Sequence, residues 1–261
     1  MRVRGERECK DCGERWSYFD TGRVTCPACG SAHSVGRSDR ALHTASAADL
    51  DLADARDRVS ESLREAGREA AASARAYVAR AGFVDGGDLR PLEDRFLVAS
   101  ELRYAGSEVA RATRPDEAVE GHFLALLSAA SDGQRPGPDE VPDALRGARG
   151  LGCADAAGQY ATEVVEWLDW REAHAVAVRD LFDRLRPHRR RVEALDGEVD
   201  PRTAERLVAV AREAGRAARV TAGADEGGNE AASAEADADA EAAISTARER
   251  LDALDEASEP G

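Results

Sequence analysis

Two Cys-x-x-Cys pairs near the start of the chain are the residues whose type and spacing best fit a chemical role. Cys9 and Cys12 form the first pair, Cys26 and Cys29 form the second, and a glycine follows each pair. Four thiolates at this spacing are typical of a tetrahedral zinc site with Zn–S bonds of about 2.3 Å. Because four protein ligands leave no coordination position for a substrate or an activated water, the sequence predicts one structural Zn²⁺.

The segment between the two pairs predicts a small β ribbon. Residues 15–19 favour a strand, 20–22 a turn and 23–25 a returning strand. His33 follows Cys29 by four residues, but with four thiolates present it is surplus, and we expect it in an exposed loop.

Three aromatic residues of the ribbon, Trp16, Tyr18 and Phe19, allow two interpretations. They could form a docking surface for a nucleic-acid base or a protein partner. They could instead supply the minimal core that so small a module needs, and we expect this of at least one of them.

With these cysteines and aromatics, the segment 1–35 resembles the zinc ribbons of the transcription factor IIB type and of the wider rubredoxin-like group. The whole chain resembles an uncharacterised family of halophilic archaeal proteins that begin with such a ribbon. The resemblance implies that Cys9, Cys12, Cys26 and Cys29 are zinc ligands. The ribbon of the general factor docks on RNA polymerase, so the resemblance also suggests a role in transcription, although no cyclin-like repeats follow here.

Composition favours helices and an acidic surface. Hydrophobic residues make up 43% of the 261 residues and aromatic residues only 5%, which is typical of alanine-rich helices. The formal charge is −15, and Lys10 is the only lysine. Such a surface is expected of a protein adapted to molar salt, where screening removes self-repulsion. Codon bias combined with an acidic tail is the alternative explanation.

The charge is unevenly distributed. Residues 1–43 carry eight basic and six acidic residues, a net charge of +2, whereas residues 221–261 carry a net charge of −10. The remainder, 44–220, is also acidic, with a net charge of −7. The ribbon is therefore the only segment that is not acidic.

Apolar periodicity divides the rest of the chain. We expect a linker over 36–48 and an antiparallel helical bundle over 49–220. Its helices are predicted from about 51 to 82, from about 89 to before Pro115, across 119–130, and from Pro201 onward. Residues 85–88 predict a turn, and 131–142 predict a loop.

The longest pattern is a heptad seam typical of a coiled coil. Its members are Cys153, Ala157, Tyr160, Val164, Trp167, Arg171, His174, Val178, Leu181 and Leu185. Arg171 and His174 could mark a polar or metal site inside the bundle, or a hydrogen-bonded layer that fixes register, which we favour. Cys153 is expected to act as a small buried hydrophobe. Pro187 should kink or end this helix.

A basic cluster surrounds that proline. It consists of Arg184, Arg186, Arg189, Arg190 and Arg191. The cluster could bind phosphates, or it could be a solvated helix end paired with Asp183 and Glu193.

The C-terminal part loses its periodicity. Residues 221–240 are mostly Ala, Gly, Glu and Asp, and predict a disordered acidic linker. Residues 241–257 then predict one short amphipathic helix. The fold class expected is thus mostly α, with a small N-terminal β zinc ribbon, an alanine-rich bundle and an acidic tail.

The motifs favour a protein that is not an enzyme. There is no P-loop, no dinucleotide-binding loop and no arrangement of nucleophile with base. No secretory signal or apolar run of membrane length is evident, and cysteines arranged for metal favour a reducing, cytoplasmic setting. We therefore expect an adaptor whose ribbon docks on a protein partner. The alternative is a nucleic-acid binder using the ribbon and the arginine cluster, and an enzyme is a distant third.

Overall fold

The computed structural model describes residues 1–46, 48–132, 134–173, 175–224 and 230–256 of the chain. These residues form a mostly helical protein with small antiparallel sheets near the N-terminus, which confirms the predicted fold class. One contiguous apolar core, built largely of alanine and leucine, runs through the helices.

The N-terminal strands form two small sheets. Strand β1 (Arg2–Arg4) pairs with β5 (Arg40–Leu42), and β2 (Glu6–Cys9) lies between β3 (Arg15–Ser17) and β4 (Ser34–Gly36). All of these pairs are antiparallel. Both cysteine pairs thus flank the three-stranded sheet.

The ribbon differs from its predicted form. The strand at 15–19 ends at Ser17, because the Ser17 side chain accepts from the backbone N–H of Asp20 and caps a single helical turn, α1 (Tyr18–Thr21). Residues 23–25 do not form the returning strand, since β3 pairs with β2 instead. The predicted 36–48 linker carries β5, which pairs with the start of the chain.

Helices account for most of the remaining chain. They are α2 (Ala53–Arg58), α3 (Leu63–Val78), α4 (Asp94–Arg111), α5 (Glu117–Asp132), α6 (Arg146–Trp170), α7 (Val176–Ala194), α8 (Pro201–Ala224) and α9 (Glu230–Glu256). A hairpin, β6 (Val84–Asp85) and β7 (Asp88–Leu89), occupies the predicted turn, and two 3-10 turns precede α6. The single helix predicted over 51–82 is two helices, because Ser62 caps a new N-terminus by accepting from Glu65 N–H.

The continuous seam predicted from Cys153 to Leu185 is also broken. Helix α6 ends with Glu172 at φ 55, the N–H of Ala173 donating to Leu168 O and that of Glu172 to Asp169 O. These bonds are those of a Schellman cap, which satisfies the last carbonyls of a helix. Helix α7 then packs against α6, so the seam lies on two packed helices; His174 is outside the described residues.

Pro187 lies inside helix α7, which continues to Ala194. Its ring is exposed. The prediction that Pro187 ends the helix is therefore wrong. A proline removes one backbone hydrogen bond, and the burial of Leu185 before it and Val192 after it holds both halves of the helix in place.

Helices occupy both ends of the segment predicted to be disordered. Helix α8 extends to Ala224 and α9 begins at Glu230, so 221–224 and 230–240 are helical, while 225–229 lie outside the described residues. Alanine dominates this stretch and is the best helix former. Ala240 and Ala243 are buried, so the final helix begins earlier than predicted and packs on α8.

Candidate metal centre

The fold brings the four ribbon cysteines to one point. Their Sγ atoms lie within 4.8 Å of one another. Cys9 Sγ is 3.6 Å from Cys29 Sγ, and Cys12 Sγ is 3.6 Å from Cys26 Sγ. Four sulfurs at this spacing could hold a metal ion such as zinc.

The two cysteine loops share one backbone geometry. In the first, Cys9 N–H donates to Glu14 O and Gly13 N–H donates to Cys9 O. In the second, Cys26 N–H donates to Ser31 O and Gly30 N–H donates to Cys26 O. Both glycines have positive φ, 77° and 74°, which a side chain would disfavour. The glycine after each pair is therefore a requirement of the loop.

The thiols influence one another strongly. A hydrogen bond from the backbone of Cys12 is the largest cause that lowers the pKa of Cys9 to about 7. A backbone hydrogen bond from Glu14 would lower the pKa of Cys12, but the Cys29 and Cys26 thiols and burial together outweigh it and raise the pKa to about 12. Negative charge on all four sulfurs requires a compensating cation, which a divalent metal would supply.

His33 does not join the sulfur cluster. Its side chain is 81% exposed, and its Nδ1 is 3.5 Å from Asp11 Oδ1. The geometry places it in the exposed loop that the sequence predicts.

Phe19 attaches the ribbon to the helical part of the chain. Its ring lies 4.8 Å from the buried His43 ring, and a Cβ on Gly86 would come within 3.0 Å of it. Tyr18 meets the same histidine edge-on at 6.0 Å. Both aromatic rings therefore lie against His43.

Thr44 continues this attachment into the helices. Its hydroxyl donates to the buried Glu163 carboxylate, which also accepts from Phe83 N–H at 2.7 Å. Burial lowers the pKa of the neighbouring His43, with Asp85 acting in the opposite direction. The segment against which Phe19 packs is thus joined to Glu163 of α6 by hydrogen bonds.

Trp16 lies on a different part of the ribbon, which we call the Trp16 surface and define as Arg7, Trp16, Arg23 and Val24. The indole is half-buried and its Nε1–H donates to Arg23 O at 2.9 Å. Arg7 is its cross-strand neighbour, and its guanidinium donates to Ser34 Oγ at 2.8 Å. Ser34 Oγ in turn donates to Val24 O, while the Val24 residue is 52% exposed. An aromatic, an exposed aliphatic and two arginines therefore lie side by side.

The arginines around Pro187 contact several different groups of the chain. Arg184 contacts Asp252 and Asp255 of α9 at 2.8 and 3.2 Å, whereas Arg189 lies over Gly158 of α6. Arg186 pairs with Asp183 and Arg189 with Glu193, as a solvated helix end would. Arg190 and Arg191 are exposed.

A buried charge network in the bundle was not predicted. Glu101 and Arg149 have fully buried side chains and lie 2.8 Å apart. Arg149 also contacts Glu205 at 2.7 Å, and the same carboxylate contacts Arg135. His122 Nε2 is 2.9 Å from Glu101. Burial would raise the pKa of Glu101, but the His122 hydrogen bond and the charges of Arg149 and Arg135 outweigh it, so the pKa is lowered.

Cys153 borders this network rather than purely apolar surroundings. Its Sγ is 3.7 Å from both Arg135 Nη1 and Glu205 Oε1, and burial raises its pKa to about 12. The sequence held a signal for this, because Arg149 precedes Cys153 by four residues on the same seam. Arg171, the other seam arginine, stacks over Trp167 and donates to Ala222 O.

Fold and site together define a helical protein with an N-terminal four-cysteine module. The chain belongs to DUF7117, a family of unknown function whose model matches residues 1–236. No curated protein and no solved structure shows a significant match. Among the described residues, no helix is long and apolar enough to cross a membrane.

Proposed function

We propose that the chain is a non-enzymatic adaptor: a zinc ribbon, stabilised by one structural Zn²⁺, docks on a protein partner through the Trp16 surface. The observation that carries the proposal is the exposure of Val24 beside a half-buried indole, on a module whose four cysteine sulfurs lie within 4.8 Å of one another. Transcription or translation machinery is the kind of partner that the resemblance of the ribbon suggests.

The chemistry of the cysteines supports a structural metal. Four thiolates complete a tetrahedral zinc sphere, whereas a catalytic zinc keeps a position for water or substrate. His33, which could widen the ligand set, is turned toward Asp11. A metal held in this way would stabilise the docking module and take no part in a reaction.

The Trp16 surface has the composition of an interface. Aromatic residues and arginine are enriched at protein interfaces, and an exposed aliphatic beside them supplies apolar area. Phe19 and Tyr18 are occupied in packing against His43, which leaves Trp16 as the ribbon aromatic open to a partner. We therefore narrow the docking hypothesis from three aromatics to the Trp16 surface.

The net charge of the ribbon and of the whole chain favours a protein partner over nucleic acid. The ribbon has a net charge of only +2 within a chain of −15. Glu8 also holds Arg15 at 3.2 Å and Arg37 at 2.8 Å, which draws two of the ribbon arginines into ion pairs. Phosphate contacts weaken by roughly 0.9 log units each per tenfold rise in salt, so a few such contacts would lose most of their affinity in molar salt.

The test compares two single charge insertions in the full chain. Val24→Asp places a carboxylate on the Trp16 surface, and Val176→Asp is the matched control, because Val176 is 73% exposed on the helical domain. We expect wild type and Val176→Asp to cross-link through the ribbon to the same partner in native cells, and Val24→Asp to lose at least about tenfold of that yield. Equal capture by both variants, or micromolar binding of a labelled oligonucleotide in molar KCl, would contradict the proposal.

A further inference from the structure

The outer edge of strand β3 has backbone groups that the sheet does not use. In the ladder with β2, Cys9 N–H donates to Glu14 O. Hydrogen-bonded pairs alternate along an antiparallel ladder, so Arg7 and Trp16 form the next such pair. Arg15 lies between these two pairs and therefore directs its N–H and C=O away from β2, where no described residue bonds them.

Open space borders this edge. A hollow of about 460 Å³ is lined by all three residues of β3 together with Glu6, Arg7 and Arg37. The opposite edge of the sheet, β4, is less accessible, because Ser34 N–H donates to Ala32 O and the Arg4 side chain crowds Gly36. Strand β3 is therefore the edge of this sheet to which an extended segment of another protein could add a strand.

The two faces of β3 differ in chemistry. Trp16 shares its face with its cross-strand neighbour Arg7 and lies beside the exposed Val24. Because side chains alternate along a strand, Arg15 lies on the other face, next to Glu8. A strand added to β3 would therefore place alternate side chains against an apolar face and against a charged one.

The charged face has donors to spare. Both carboxylate oxygens of Glu8 accept from the Arg37 guanidinium, at 2.9 and 2.8 Å, while Arg15 Nη2 lies 3.2 Å from one of them. Lys10 Nζ lies 3.8 Å from the same carboxylate. Even with Glu6 included, three basic residues thus face two acidic ones. The Arg15 side chain is 77% exposed and can donate to a second carboxylate.

We propose that the partner docks by adding an antiparallel strand to the outer edge of β3, and that this segment alternates apolar and acidic side chains. Its backbone bonds the N–H and C=O of Arg15, its apolar residues contact Trp16 and Val24, and an acidic residue binds the Arg15 guanidinium. The paired backbone donor and acceptor favour a polypeptide, because nucleic acid has no matching repeat of N–H and C=O. The inference rests on the proposed docking of the Trp16 surface and adds the way in which the partner binds there.

A library of random twelve-residue peptides displayed on phage, selected on the zinc-loaded chain, supplies the probe. We expect the enriched peptides to alternate apolar and acidic residues over a short run without proline, since proline cannot donate to a ladder. Enrichment of peptides without that alternation or without acidic residues, or no enrichment, would overturn the proposal.

Two substitutions at Arg15 separate its backbone from its side chain. Arg15→Ala removes the guanidinium but keeps the N–H, whereas Arg15→Pro removes both and spares the ladder with β2, because that N–H points outward. We expect Arg15→Pro to bind the selected peptide at least about tenfold more weakly than Arg15→Ala. Equal affinities of the two variants, with zinc content unchanged in both, would overturn strand addition.

A charge exchange tests the acidic residue of the peptide. Arg15→Glu should weaken binding at least about tenfold, and a peptide with lysine in place of its acidic residues should recover most of that loss, because opposite charges then face each other again. Loss in the variant without recovery by the lysine peptide would contradict the assignment of the acidic side chains.

Amide hydrogen exchange on the wild-type chain keeps the proposal testable if Arg15→Pro fails to fold. We expect the selected peptide to slow exchange of the Arg15 amide at least about tenfold and to leave the Trp16 amide, already paired with β2, nearly unchanged. If Val24→Asp abolishes peptide binding but the Arg15 amide gains no protection, docking on the Trp16 surface stands and strand addition is wrong. If the peptide binds Val24→Asp as tightly as wild type, the docking surface itself is wrong.

Discussion

Arg149 lies inside the helical domain with none of its side chain exposed, and its charge is balanced by Glu101 and Glu205. Arg149 Nη2 also donates to Pro136 O, which attaches the α5–α6 connection to the same point. Buried charges of this kind are costly when one partner is lost, because the remaining charge stays in a medium of low polarity.

Replacing this arginine should therefore be severe. Arg149→Met removes the charge but keeps much of the volume, and leaves the buried Glu101 without its nearest guanidinium, which lies 2.8 Å away in the wild type. We expect the free energy of unfolding to fall by about 3–5 kcal/mol in urea titrations. Arg146→Met is the matched control, because that side chain is 46% exposed and pairs with the exposed Asp143, so a loss below about 1 kcal/mol is expected. Similar losses in the two variants would contradict the description of the network.

The same network predicts a pH dependence. The pKa of Glu101 is lowered from 4.5 in the folded state, so below pH 4.5 the unfolded chain binds more protons than the folded one. The stability that this carboxylate contributes is present above pH 4.5 and is lost as the pH falls through its lowered folded value. Glu101→Gln should flatten the decline of unfolding free energy with falling pH in this window. If the unfolding free energy of Glu101→Gln fell with pH as steeply as that of wild type, other carboxylates would control the loss of stability at low pH.

Among individual residues, the sequence predicted best those whose spacing is fixed by the chemistry of their site. The four cysteines and their glycines follow from local loop geometry, so their convergence could be predicted. The buried network could not be assembled, because Glu101, Arg149 and Glu205 lie on three helices whose packing no local pattern specifies. Of these three residues, only Arg149 could have been suspected from the sequence, because it is a charged residue in register with the buried seam.

Among the elements, short strands and helix ends were the hardest to predict. The three-residue strands β4 and β5 are too short to show alternation, and pairing with distant partners forms them. The break after α6 was hidden because the heptad pattern stays in phase across residues 171–175. Helix α9 was underestimated because its acidity suggested disorder, whereas alanine propensity and burial on α8 favour helix.

The ribbon should depend on its metal as an element separate from the helices. Cys9→Ser removes a ligand from a site of the kind that supplies about 10–16 kcal/mol of apparent folding energy in zinc modules. We expect bound zinc and the tryptophan fluorescence shift of the folded ribbon to be lost, while helical circular dichroism is largely retained, because the helices have their own core. His33→Ser is the control and should change neither signal. Loss of most helical signal in Cys9→Ser would mean that the ribbon and helices fold as one unit.

For the whole molecule, the acidic surface predicts a salt dependence. The chain carries 51 acidic residues against 36 arginines and lysines. Many of these acids lie on exposed positions, so repulsion should weaken as salt shortens the screening length from about 10 Å at 0.1 M to about 3 Å at 1 M. We propose that this is adaptation to high salt, and we expect the melting temperature to rise steeply with KCl. Sucrose at matched osmolality should give a smaller rise, and a flat response to KCl would favour codon bias.

The packing of the ribbon on the helical part also belongs to the molecular scale. Phe19, His43 and Gly86 come together from three separated segments, which composition and periodicity could not anticipate. This contact orients the Trp16 surface relative to the helical domain. The Trp16 surface, if it docks a partner as proposed, is thereby held in a fixed position on the folded chain.

X-ray absorption spectroscopy at the zinc edge of the purified chain tests the structural metal most directly, because an adaptor with a structural metal requires a closed coordination sphere. We expect one zinc per chain with four sulfur neighbours at about 2.3 Å and no light-atom ligand. A nitrogen or oxygen neighbour at about 2.0–2.2 Å in place of a sulfur would indicate an open or mixed site, and would contradict the structural role assigned to Cys9, Cys12, Cys26 and Cys29.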